Sequence, residues 1–105
     1  MPAYLVATVA IHDPETYRKY TALTPALVAR HGGRFLTRGD AVTTLEGPPF
    51  TDRLVIVEFP TQADAEALFN DPEYTDAAQV RRAASVGRLI VQEGRGNTTN
   101  PDPKI

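Results

Sequence analysis

Cysteine and tryptophan are both absent from the 105 residues. Without a thiol the chain can form no disulfide, thiolate nucleophile, zinc–thiolate site or cysteine-held iron–sulfur cluster. Histidine is scarce, with only His12 and His31, and no paired-carboxylate motif surrounds either. No metal site is therefore expected. An excess of cations is missing too, since eleven Lys+Arg against thirteen Asp+Glu give a formal net charge of −2. A nucleic-acid binder needs that excess to displace counterions from phosphates, so no nucleic-acid partner is expected. Arg81-Arg82 and Arg18-Lys19 are the only basic doublets and read as solvated helix faces. Apolar runs fall short of a membrane span and no basic leader precedes them, so a cytoplasmic protein without a membrane partner is expected. There is no Gly-rich phosphate loop and no Gly-x-Ser-x-Gly elbow. Nothing implies a cofactor. The match of Asn97-Thr98-Thr99 to a glycosylation acceptor has no secretory context to support it.

What is present fits one domain of ordinary globular composition, 42% apolar and 23% charged. A lone domain of this size buries only about two-thirds of its unfolded surface, so an oligomer interface would help it. Residues 3–11 are short, apolar and β-branched, as a central strand is. Leu5, Ala7, Val9 and Ile11 alternate with Tyr4, Val6, Thr8 and Ala10. The second set carries the hydroxyls and is expected to line any polar cavity. Asp13-Pro14-Glu15 opens a helix with a cap, a first-turn proline and an acid at the positive end. Tyr17, Tyr20, Leu23 or Thr24, Leu27, Val28 and His31 form its apolar stripe. Pro25 removes one backbone hydrogen bond inside it, and Gly32-Gly33 ends it.

Arg34–Arg38 and Ala41–Glu46 both look like strands, with Gly39-Asp40 as either a hairpin turn or a bulge. Gly47-Pro48-Pro49 breaks the pattern, and Arg53–Phe59 is a strand stopped by Pro60. Thr61 to Asp64 resembles a capping box before a helix through Phe69. Pro72 to about Ala84 is a second helical piece, and Val86–Glu93 the last strand. Residues 95–105 lack apolar periodicity and are expected to be a flexible tail. The order predicts an α+β, ferredoxin-like βαββαβ domain over residues 1–94, its helices on one face of an antiparallel sheet. The same order suits an RNA-recognition motif, but the aromatic signature of its central strands is missing. The sheet's other face is too apolar for water, so a homodimer is expected.

Several strings occur in a telling order: Met1-Pro2-Ala3-Tyr4, Asp13-Pro14 before a tyrosine-bearing helix, and His31-Gly32-Gly33-Arg34-Phe35-Leu36. Arg38-Gly39, Leu45-Glu46-Gly47, Arg53 to Pro60 and Asn70-Asp71-Pro72-Glu73-Tyr74 follow. Together, over residues 1–94, they resemble the DUF1330 family of small bacterial proteins in the dimeric α/β-barrel superfamily. The resemblance implies two copies stacked sheet against sheet, and no established activity. Relatives in the superfamily include cofactor-free monooxygenases, polyketide cyclases, muconolactone-type isomerases and haem-degrading enzymes. Where relatives often carry a large aromatic in the second helix, this chain has Ala67-Leu68-Phe69.

Arg38 and Glu58 are the leading catalytic candidates, because each charge sits among apolar strand neighbours. A buried charge must be paired, hydrogen-bonded or shifted in pKa. Facing each other in a cleft, they could orient an acid and move a proton; otherwise they make a structural salt bridge. His31 could titrate, or simply complement the negative helix end. Tyr4, Thr8, Tyr17 and Tyr74 are candidate ligand contacts, with core packing as the competing role for the tyrosines. Tyr20 suits core packing, and His12 has no assigned role. The expected function is a cofactor-independent small-molecule enzyme of isomerase, cyclase or monooxygenase type, or a binding protein. A non-catalytic dimeric interaction module is the alternative, and a haem-degrading role ranks third.

Overall fold

Three helix caps set the boundaries of the chain's helical elements. Asp13 Oδ1 accepts from Thr16 N at 3.2 Å, Thr61 Oγ1 from Asp64 N at 3.1 Å, and Asp71 Oδ1 from Glu73 N at 3.0 Å. Each side chain satisfies a backbone donor that the first helical turn leaves unpaired. Pro14 and Pro72 follow two of these caps in the first turn, where a missing N–H costs nothing. In this computed structural model, which describes residues 1–94, the order is β1(Ala3–Ile11), α1(Pro14–Arg30), β2(Arg34–Arg38), β3(Arg53–Phe59), α2(Gln62–Asn70), α3(Pro72–Ala84) and β4(Ser85–Glu93). The strands form one antiparallel sheet in the order β2-β3-β1-β4. This is the ferredoxin-like α+β arrangement that the element order predicts. The expected tail and the Asn97 acceptor lie outside the described residues.

Strand alternation divides the sheet into two unlike faces. Leu5, Ala7 and Val9 of β1 join Val55, Val57 and Phe59 of β3 in the core beneath the helices. The helices contribute Tyr17, Tyr20, Leu27, Val28, Leu68, Tyr74 and Ala78. Gly33 passes close beside this core, where a Cβ would lie 2.6 Å from Phe59 Cε1 and 2.8 Å from Val28 Cγ1. On the opposite face no helix of the described residues covers the sheet. There Val6 lies between Ile56 and Ile90, Thr8 between Leu54 and Arg88, and Tyr4 between Glu58 and Gln92. Ile90 is 50% exposed and Val86 71%. No helix among the described residues is long and apolar enough to cross a membrane.

Two expectations need correction. Ala41–Glu46 is not a strand; residues 39–52 carry no regular secondary structure and link β2 to β3. Gly39, at φ 75°, ends β2 with its N–H bonded to Leu54 O at 3.0 Å. Gly39-Asp40 is therefore neither a two-residue hairpin nor the bulge. The irregularity falls earlier, between Phe35 and Thr37, where Leu36 is the extra residue. Ile56 N–H donates to Thr37 Oγ1 across it at 3.1 Å.

Candidate functional site

Between the sheet and the helices lies a cavity of about 50 Å³. Its floor is apolar, made of β1, β3 and β4 side chains such as Leu5, Ala7, Val57 and Leu89. Its polar groups come from elsewhere: Arg38 at the end of β2, Arg53 at the start of β3, Arg81 on α3, and the tyrosines of α1 and α3. The hydroxyl-bearing face of β1 was expected to line a polar cavity, and it does not. The polar lining is supplied by the helices and the strand ends, while Tyr4 and Thr8 lie on the open face.

Arg38 reaches this cavity because of the bulge. Regular alternation from Arg34, which pairs with Glu58, would put residues 36 and 38 on the open face as well. The extra residue at Leu36 reverses the sense, so Arg38 pairs with Val55 and lies beneath the helices. Its guanidinium stacks on the Phe35 ring at 4.6 Å. Arg38 Nη2 donates to Thr21 O at 2.5 Å and to Thr24 Oγ1 at 3.1 Å. The Thr21 carbonyl is available because its helical partner four residues on is Pro25, which has no N–H. A helix defect thus becomes an anchor for a cationic side chain.

Arg53 and Arg81 are held by aromatic rings, Arg53 over Tyr17 at 5.7 Å and Arg81 over Tyr20 at 5.9 Å. Tyr17 and Tyr20 are themselves neighbours, with centroids 5.5 Å apart. Tyr20 Oη and Tyr74 Oη share a hydrogen bond of 2.8 Å. Burial, reinforced by Tyr74, pushes the Tyr20 hydroxyl far above its ordinary pKa, and burial raises Tyr17 against the opposing pull of Arg53. Both remain protonated at neutral pH and cannot serve as bases. Neither Arg53 Nε nor Arg81 Nε has a hydrogen-bond partner within the described protein, although both atoms are buried. No ion pair among the described residues involves any of the three arginines, and no carboxylate or imidazole lines the cavity. It can bind and polarise an anion through hydrogen-bond donors and fixed positive charge.

The expected catalytic set is divided among three locations. Arg38 meets two of the candidate ligand contacts, Tyr17 and Tyr74, at the cavity. Arg38 and Glu58 do not face each other, because the bulge puts them on opposite sides of the sheet. Glu58 instead accepts from Arg34 Nε at 2.8 Å across the β2–β3 ladder. His31 lies at the end of α1, its Nε2 2.8 Å from Asp71 Oδ2. Arg30 reaches the same carboxylate at 3.1 Å and Glu73 at 3.2 Å, so this cluster ties the end of α1 to the start of α3. The His31 contact, the backbone N–H of Glu73 and Arg30 hold the Asp71 carboxyl below its ordinary pKa.

Arg53 and Arg81 escaped the sequence reading, although both carried a signal. Arg53 shares strand parity with Val55, Val57 and Phe59. Arg81 falls on the stripe Tyr74, Ala77, Ala78, Arg81, Ala84, and it is only 6% exposed. Its neighbour Arg82 is exposed, so the doublet is split between core and solvent rather than solvated throughout.

Fold and cavity define a ferredoxin-like α+β domain with a cationic pocket beneath its helices. The chain belongs to the family described as a domain of unknown function, DUF1330, whose model matches residues 2–95. A protein of unknown function from Rhodopseudomonas palustris, RPA0582, is similar to it with a TM-score of 0.74 and 25% identity, over 89% of this chain and 82% of the other. SnoaB, a cofactor-independent oxygenase from Streptomyces nogalater, shares the fold at a TM-score of 0.65 and 18% identity, over 94% and 98%. A dimeric protein of unknown function and ferredoxin-like fold from Bacteroides fragilis aligns with a TM-score of 0.55 and 15% identity, over 89% and 96%. No curated protein shows significant similarity.

Proposed function

We propose that the chain is a small-molecule protein, enzyme or binder, whose ligand is a small organic acid held in the cavity by Arg38, Arg53 and Arg81. The observation that carries this reading is the gathering of three arginines around one largely apolar cavity without a carboxylate among the lining residues. Like charges brought together away from water repel, and an arginine without a partner is costly to bury. Stacking on Phe35, Tyr17 and Tyr20 offsets part of that cost, and an anionic ligand offsets the rest. Arg38 holds a carboxylate or enolate oxygen, and Tyr17 and Tyr74 contact the ligand. The guanidinium groups stabilise the negative charge of a bound carboxylate or enolate without a cofactor, and the lining itself holds no carboxylate or imidazole to remove a proton. Glu58 and His31 take structural roles, the first in β2–β3 register and the second in joining α1 to α3. Two copies join through their open sheet faces, a reading supported by the apolar row Val6, Ile56 and Ile90.

Native mass spectrometry on gently purified protein tests this directly, and a dimer mass carrying a reproducible small acidic adduct is expected. Arg38→Ala should weaken binding of that acid about tenfold or more, the worth of a charge-assisted hydrogen bond. Glu58→Ala should leave affinity unchanged and lower only stability. Equal affinities for wild type and Arg38→Ala would remove the cavity as the site.

A further inference from the structure

The number and distribution of the cations say more than that the ligand is an acid. Building on the proposed anion site, we infer that it takes a short-chain dicarboxylate, with one carboxylate at Arg81 and the other shared by Arg53 and the remaining donors of Arg38. Arg38 is already partly satisfied by Thr21 O and Thr24 Oγ1. Arg53 and Arg81 each retain a buried Nε without a partner within the described protein. They belong to different elements, β3 and α3, and are linked through the adjacent rings of Tyr17 and Tyr20. They also differ in depth, with Arg81 buried in the core and Arg53 partly exposed.

A monocarboxylate bound at one of these groups leaves the other cation uncompensated in the cavity. A second carboxylate on the same molecule removes that cost. Planar carboxylates match the guanidinium fork, which can donate two parallel bonds to each. The wall opposite the helices is apolar, with Leu5, Val57 and Leu89 contributing no hydrogen-bonding side chain. Such a surface suits the methylene carbons of an organic acid and leaves the oxygens of a tetrahedral inorganic anion unsatisfied on that side. The volume, about 50 Å³, favours the shortest members of the class.

Isothermal titration of the full-length protein with propionate, malonate, succinate and inorganic phosphate separates the possibilities. Malonate or succinate is expected to bind about tenfold or more tightly than propionate, as a second charge-assisted contact implies. Arg53→Met and Arg81→Met should each bring dicarboxylate affinity down to the propionate level, with little change for propionate at the arginine that remains. The wild-type series decides the matter even if a variant fails to fold. Equal binding of propionate and malonate would overturn the dicarboxylate inference and leave the anion site standing. Phosphate as the tightest ligand would overturn the organic class. Failure of all four to bind would overturn this inference and count against the anion site beneath it.

Discussion

Asp71 is asked to do three things at once. Its carboxylate caps α3, accepts from Arg30 and lies 2.8 Å from His31 Nε2. These contacts lower its pKa from the ordinary 3.8, the His31 hydrogen bond first, then the Glu73 backbone N–H and Arg30. A carboxyl whose pKa is lower in the folded than in the unfolded chain stabilises the fold above the unfolded value. That contribution disappears as pH falls through the folded value. Asp71→Asn keeps a capping oxygen and removes the titration. Urea unfolding midpoints taken between about pH 7 and about pH 3 should therefore fall more steeply for wild type than for Asp71→Asn. Parallel decline of the two proteins would mean that other carboxylates carry the acid sensitivity.

At the level of elements, the sequence showed where the helices and most strands lie, but not which way the edge strand faces. Caps, prolines and apolar stripes are local signals, so α1, α2, α3, β1, β3 and β4 were legible within a residue or so. Tyr17 and Tyr74 were legible as cavity candidates by resemblance. The bulge at Leu36 left no mark in composition, since Arg34–Arg38 reads equally well as a regular strand. That single extra residue decides whether Arg38 joins Glu58 or the arginine cavity. Ala41–Glu46 misled for the complementary reason: strand propensity cannot create a ladder where no neighbouring strand is available. Pro25 illustrates how a visible local feature acquires meaning only through tertiary contact. Pro25→Ala restores an N–H that competes for Thr21 O with Arg38 Nη2. The helix should gain roughly 1–3 kcal/mol, raising the unfolding midpoint, while affinity for small acids falls as Arg38 loosens. Calorimetry of the variant checks both, and undiminished acid affinity would show that the freed carbonyl does not position Arg38.

For the whole molecule, the question is what covers the open face. Val6, Leu54, Ile56, Val86 and Ile90 share it, and the helices of the described residues are on the other side. A face of this kind favours association, because burying one such side chain stabilises by about 1.5–3 kcal/mol. Two sheets can stack face to face at about 10 Å with their apolar rows interdigitated. A two-fold axis through this face would bring it against its own copy, with Ile56 near its middle and the Arg34–Glu58 pair toward one end. Ile56→Lys brings two ammonium groups together in that packed layer without touching the helix-side core. Light scattering should then show a monomer for Ile56→Lys and a dimer for wild type. The melting temperature of wild type should rise with protein concentration, because association stabilises the folded state by mass action, and that of Ile56→Lys should not. A dimer that survives Ile56→Lys would move the interface to the outer edge of β4, where the strand has no neighbour among the described residues. The arginine cavity opens on the helix side of the sheet in either arrangement, so the anion site and the dimer interface can be tested independently.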